Sequence, residues 1–208
     1  MRAGRLAWPA FAYSIDDESH ARRTYAFVLT YLLFLCSWVS LTLGLLSPWI
    51  VRILSPSNAH FYRASEAVGI LAFGATAYAG YTVLAIGVGR ARRTQFNWVI
   101  TGIAAAINIA LNFALIPPYG MMGAAISTVV AYVVLFAGMA INAQHVWPVP
   151  YQWRRVLTLA AVAVGLLVLG KAIHASLPLA ILLCLAYPVA LLPLRFYLPA
   201  ELRRLRLS

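Results

Sequence analysis

Between Arg23 and Arg52 the chain carries no charged side chain, and the same holds from Ala67 to Gly89, from Thr94 to Trp153 and from Ala172 to Leu194. Runs of this length match a helix crossing the hydrocarbon core of a bilayer, which needs roughly 20 apolar residues. The stretch from Thr94 to Trp153 is long enough for two such helices with a turn between them. Composition agrees: 63% hydrophobic and 10% charged residues leave too little polarity to cover a water-soluble surface. The runs are rich in Ala and Leu and lack the alternating pattern of barrel strands. The expected fold class is therefore all-α, a polytopic membrane protein with about six transmembrane helices over 24–46, 64–88, 97–116, 121–143, 156–175 and 179–198. Its expected organisation is a cytoplasmic juxtamembrane segment over 1–23, a six-helix membrane domain over 24–198 and a basic cytoplasmic tail over 199–208.

Lys and Arg flanking membrane spans favour the cytoplasmic side. If the first helix starts inside, the cytoplasmic segments hold Arg2, Arg5, Arg22, Arg23, Arg90, Arg92, Arg93, Arg154, Arg155, Arg195, Arg203, Arg204 and Arg206, against Arg52, Arg63 and Lys171 outside. This asymmetry predicts that both termini are cytoplasmic and supports an even number of spans. Topology and anionic lipid thus account for the net charge of +11. Nucleic acid is not expected as a partner, because the charges are scattered through short loops with no polar domain to present them. The apolar part of the N-terminal "LAWPAFAY" is short and contains Pro9, and no small-residue cleavage site precedes "DDES", so it reads as juxtamembrane rather than as a signal peptide. Cys36 and Cys184 fall within the expected spans without paired spacing, which implies neither a disulfide framework nor a metal site.

Small residues recur at one-turn spacing on the third helix (Gly102, Ala106, Ala110, Ala114) and on the fourth (Gly123, Ser127, Ala131). In lipid such stripes permit close backbone contact, so these helices are expected to pack as a hairpin through them. The Gly-rich second helix, with Gly69, Gly74, Gly80, Gly87 and Gly89, reads as close-packed or bent. Trp49, Trp98, Trp147 and Trp153, with Tyr119 and Tyr151, lie near expected span ends as an interfacial aromatic belt would. Trp38 falls nearer a span centre and reads as a packing residue.

Asn108 and Asn112 are four residues apart and share one helix face. Two carboxamides in hydrocarbon need partners, and either a neighbouring helix or a water-filled cavity with a polar substrate supplies them. Pro117 and Pro118 are expected to end that helix, with Gly120 as the turn.

The stretch "RRTQFNWVITGIAAAINIALNFALIPPYGMMGAAISTVVAY", from Arg92 to Tyr132, resembles the carboxy-terminal half of bacterial polysaccharide flippases, the O-antigen transporter type within the multidrug/oligosaccharidyl-lipid/polysaccharide exporter superfamily. The resemblance is carried by the basic loop ending in Thr94, the asparagine pair, the "LIPPYG" turn and "GAAIST", with "WPAF", "DDES" and "AVGILAFGATAYAGY" flanking it, and covers 8–145. It implies two pseudo-symmetric lobes of helices that pass an undecaprenyl-pyrophosphate-linked oligosaccharide across the bacterial inner membrane by alternating access. This chain resembles only the last six helices, so the expectation is a truncated or split transporter whose partner is a missing amino-terminal lobe or a second copy of itself.

Under that resemblance the candidate substrate-binding residues are Asn108 and Asn112 in the cavity and Arg90, Arg92 and Arg93 at its cytoplasmic mouth, where cations would attract pyrophosphate. The bland alternative makes these arginines topology determinants, and Arg154 and Arg155 carry the same ambiguity. Glu66, near the start of the second helix, reads as a carboxylate favoured by the helix dipole or as a coupling-ion ligand. Lys171 snorkels to the interface in this reading, beside His174, and His20, His60 and His145 read as loop residues. No nucleophile is paired with a base and no metal-ligand cluster is present in the sequence, so neither an enzyme nor a cofactor is expected. The competing readings are a non-transporting remnant or assembly subunit and a drug-exporter relative.

Overall fold

The computed structural model describes residues 17–54, 64–192, 194 and 196. These form six α-helices: α1 (Glu18–Leu54), α2 (Ala64–Arg90), α3 (Asn97–Tyr119), α4 (Met121–Val146), α5 (Trp153–Ala172) and α6 (Leu177–Ala190). There is no strand among the described residues. The first five helices are long and apolar enough to cross a membrane, and the class is that of a helical membrane protein. The segment 1–16, His60 and the tail over 199–208 lie outside the described residues.

The helices pack as an open row. α3 contacts α4, α4 contacts α2, α2 contacts α1, and α1 also carries α5 and α6. Because lipid supplies little apolar driving force between helices, close backbone approach and polar ties hold the row together. At the α1–α2 crossing, a Cβ on Gly69 would lie 2.9 Å from the Gly44 Cα, so Gly69 excludes a side chain. The glycines of α2 thus serve contact: a Cβ on Gly80 would meet the Phe136 ring of α4 at 2.6 Å. Ser40 Oγ donates to the Ala72 carbonyl oxygen of α2 at 2.7 Å, and Ser37 Oγ and Tyr187 Oη are hydrogen-bonded at 2.7 Å across α1 and α6.

α1 begins earlier and ends later than the charge-free run that marks it. Asp17 accepts the Ser19 backbone N–H at 2.9 Å as an N-cap, which starts the helix at Glu18 and draws His20 into it. That bond and the Ser19 side chain hold the Asp17 carboxyl below its ordinary pKa. At the far end the helix continues through Pro48 to Leu54, so the expected outer loop from Leu46 is helical for its first part. Pro48 supplies no N–H for the Gly44 carbonyl, to which Ser47 Oγ donates at 3.3 Å. With 37 residues α1 is about 55 Å long and extends well past a hydrocarbon core of about 30 Å.

The sixth helix is shorter than the expected 179–198. It has 14 residues and ends at Ala190, where Leu191 and Leu192 turn ahead of Pro193, because a residue before proline is disfavoured in the helical region. Pro188 within it leaves the Cys184 carbonyl without its i+4 donor, and Trp38 Nε1–H of α1 fills that vacancy at 2.8 Å. The chain nevertheless returns along α1, since Phe196 stacks on Phe34 with centroids 5.6 Å apart and meets Arg155 at the start of α5.

The α3–α4 hairpin is present, but only half of it is built as its small residues suggested. On α4, Gly123, Ser127 and Ala131 are buried. On α3, Gly102, Ala106, Ala110 and Ala114 are exposed, and the buried side is marked by Ala104. The buried and half-buried side of α3 carries Ala104, Asn108, Leu111, Asn112 and Leu115, and Asn112 finds its partner on α4 in Ser127. Pro117 and Pro118 do not end α3, which runs to Tyr119, since proline φ suits a last turn; Gly120, at φ 56° and ψ −129°, makes the break. A Cβ on Gly123 would lie 2.1 Å from the Leu115 carbonyl oxygen, so the turn closes only around glycine there.

Candidate functional site

The asparagine pair is a ladder between helices. Asn112 Nδ2 donates to Asn108 Oδ1 at 3.1 Å within α3, and Ser127 Oγ of α4 donates to Asn112 Oδ1. Ser127 is fully buried, so the ladder closes the polar groups of the hairpin on one another in the apolar run. Asn108 and Asn112 lie about 16 and 22 Å along α3 from its start, which separates them from the arginine loop.

The three arginines are themselves divided. Arg90 ends α2 and places its guanidinium 5.8 Å from the Trp147 ring centroid, with Arg22 of α1 at 5.9 Å from the same ring. Trp147 Nε1–H donates to the Glu18 carboxylate, and Arg22 pairs with Glu18 at 3.2 Å. Two cations, one carboxylate and an indole thus bind the start of α1 to the ends of α2 and α4. Arg92 stands in the turn at φ 54° and lines a recess with Glu18, Arg90 and Trp147. Arg93 faces a different recess, between the start of α3 and the end of α4.

That second recess has a volume of 740 Å³. Its polar lining is Arg93, Gln95, Asn142 and His145, and its apolar lining includes Phe96, Ile100 and Ile141. Asn142 Nδ2 reaches Asn97 Oδ1 at 3.5 Å and Met139 Sδ at 4.0 Å, distances at which a hydrogen bond is weak. His145 belongs to the last turn of α4 and not to a loop. Asn97, Asn142 and Ser127 were not marked as candidate site residues by sequence, where each is an uncharged polar residue within an apolar run or at its edge.

The segment "WPVPY" after α4 corrects the aromatic belt. Trp147, Val149 and Tyr151 are buried while Pro148 and Pro150 are exposed, the two-residue alternation of an extended chain that proline imposes on its predecessors. Trp147 at 6% and Tyr151 at 7% exposure are core residues. Tyr25 packs edge-on to Trp147 with centroids 5.0 Å apart. The Tyr151 hydroxyl is buried without a hydrogen-bond partner, and burial pushes its ionisation above the ordinary phenol range. Trp98 at 75% exposure and Tyr119 at 62% keep the surface positions a belt requires.

At the opposite end of the helices, Glu66 stands exposed in the first turn of α2 and shares a recess with Lys171 and His174. His174 closes α5 at φ 46°, with Ala175 N–H donating to the Gly170 carbonyl at 2.9 Å and its own N–H to Lys171 at 3.1 Å, the paired bonds of a Schellman cap.

Comparison with protein-family models, with curated proteins and with solved structures finds no match for this chain. The fold and site define a helical membrane protein with a donor-rich recess at its basic end.

Proposed function

We propose that the chain is part of a transporter that moves undecaprenyl-pyrophosphate-linked oligosaccharide across the bacterial inner membrane during polysaccharide or O-antigen synthesis. The observation that carries this reading is the open row of helices. α3 packs on α4 alone in its main contacts and leaves Gly102, Ala106, Ala110 and Ala114 uncovered, as one lobe of a two-lobed carrier would before an opposing wall is added. The resemblance of Arg92 to Tyr132 to polysaccharide flippases supplies the substrate class. A pyrophosphate and sugar headgroup cannot enter hydrocarbon without replacement contacts for its water. In this reading the end bearing Arg22, Arg90, Arg93 and Arg154 is cytoplasmic and both termini lie on that side. Arg90, Arg92 and Arg93 gather the pyrophosphate there, and rocking of this lobe against its counterpart carries the headgroup across.

The second reading, a non-transporting assembly subunit, is favoured by one contact: Asn108 and Asn112 spend their polarity on each other and on Ser127. Complementation of a flippase-deficient strain separates the two, scored by surface polysaccharide with insertion verified. The transport reading expects restoration when the chain is expressed with the amino-terminal lobe of a related flippase or as a dimer. No restoration from a correctly inserted chain in either form refutes it.

A further inference from the structure

We propose that the recess between α3 and α4 is a binding site for the phosphate headgroup of an anionic membrane lipid, with the acyl chain laid along its apolar wall. This inference rests on the membrane character of the helices and goes beyond the transport reading. The polar lining consists of Arg93, Gln95, Asn142 and His145, with no carboxylate among the lining residues. Arg93 offers only donors, and the amides of Gln95 and Asn142 add more. The Asn142 amide is held by its protein partners at distances of 3.5 and 4.0 Å, so a phosphate oxygen offers it a better acceptor than it has. An acceptor-rich anion is the complement of such a lining.

The other half of the recess says what the anion is attached to. Phe96 and Ile141 are large, apolar and mostly exposed, and they line the recess beside Ile100. Gly138 lets α4 approach Ile100 closely, since a Cβ there would lie 2.9 Å from Ile100 Cγ2, so the two helices meet tightly where Ile100 and Ile141 line the recess. Trp98, exposed in the first turn of α3, marks the headgroup level at which an indole is favoured. A free phosphate would satisfy the donors and leave this wall unused. A phosphate with an acyl chain uses both.

The test reconstitutes the full chain in nanodiscs of phosphatidylcholine containing a minor fraction of phosphatidylglycerol and measures, by native mass spectrometry after detergent release, the phosphatidylglycerol retained. The expected result is selective retention that falls about fivefold in Arg93→Gln, the factor one interfacial arginine contributes, and little in Arg154→Gln, a charge loss at the same end of the helices outside the recess. Ile141→Trp, which fills the apolar wall, lowers retention with every charge intact. Equal retention in wild type and Arg93→Gln overturns the proposal, as does an equal loss in Arg154→Gln. Displacement of the lipid by inorganic phosphate or glycerol phosphate at concentrations matching the lipid also overturns it, because the site would then take the anion without its chain. Each variant alters an exposed residue, and circular dichroism with the elution profile verifies that it folds as wild type.

Discussion

Trp38→Phe tests whether polar repair of a proline defect holds α6 to α1. Pro188 has no N–H to give the Cys184 carbonyl, and the Trp38 indole donates to it at 2.8 Å. Removing a donor from a buried carbonyl costs about 1–3 kcal/mol, whereas hydrogen bonds between membrane helices average about 0.6 and reach about 1.7 kcal/mol. An upper-middle value of about 1 kcal/mol suits this bond, because the helix offers the carbonyl no alternative. Loss of the larger ring adds about 1 kcal/mol of packing, for a total near 2 kcal/mol. In a Pro188→Ala background the helix regains its own N–H donor, and Trp38→Phe should then cost only the packing part. The double-mutant cycle predicts a coupling of about 1 kcal/mol. Equilibrium unfolding in mixed micelles by added dodecyl sulfate, followed by far-ultraviolet circular dichroism, avoids reliance on the altered fluorophore. The same cost in both backgrounds would refute the reasoning.

Gly123→Ala forces a Cβ to 2.1 Å from the Leu115 carbonyl and should destabilise the hairpin by about 3 kcal/mol, read in the same unfolding assay. Asn112→Leu should cost about 1 kcal/mol by removing its bonds to Asn108 and Ser127, and Ser127→Ala should add little once Asn112 is gone, since Ser127 Oγ then keeps only its local bond to the Ala124 carbonyl at 2.9 Å. His174→Gly should stabilise by about 1 kcal/mol, since the Schellman position at φ 46° is left-handed and open to solvent; an unchanged midpoint would count against strain there. Tyr151→Phe should be neutral or stabilising by up to about 1 kcal/mol, because it deletes a buried hydroxyl with no partner. The folded state holds the Tyr151 proton more tightly than the unfolded chain, so the wild type should lose stability as pH rises above the ordinary phenol value, and the variant should lose less.

Helix existence was legible because uninterrupted apolarity is a local property; five starts or ends match closely, as with α3 beginning at Asn97 and α4 at Met121. Boundaries set by capping were harder. Asp17 starts α1 inside a polar segment, and Pro193 stops α6 while the apolar run continues. The face of α3 was misread because Ala104, Ala105 and Ala106 place small residues all round the helix, and composition does not tell lipid from protein as a neighbour. The arginine loop was visible as charge, but its division between the Trp147 cluster and the Arg93 recess was not, since the direction of each side chain depends on the turn at Arg92.

The sequence by itself determined that the chain is a set of apolar helices with an Asn-bearing hairpin, because hydrophobic length and turn chemistry act within one segment. Only the tertiary structure decided the order of the row, the burial of Trp147 and Tyr151, the pairing of Asn112 with Ser127 and the meeting of Arg93 with Asn142 and His145. These join residues far apart in the chain, and their geometry is set by which glycines allow two helix backbones to approach.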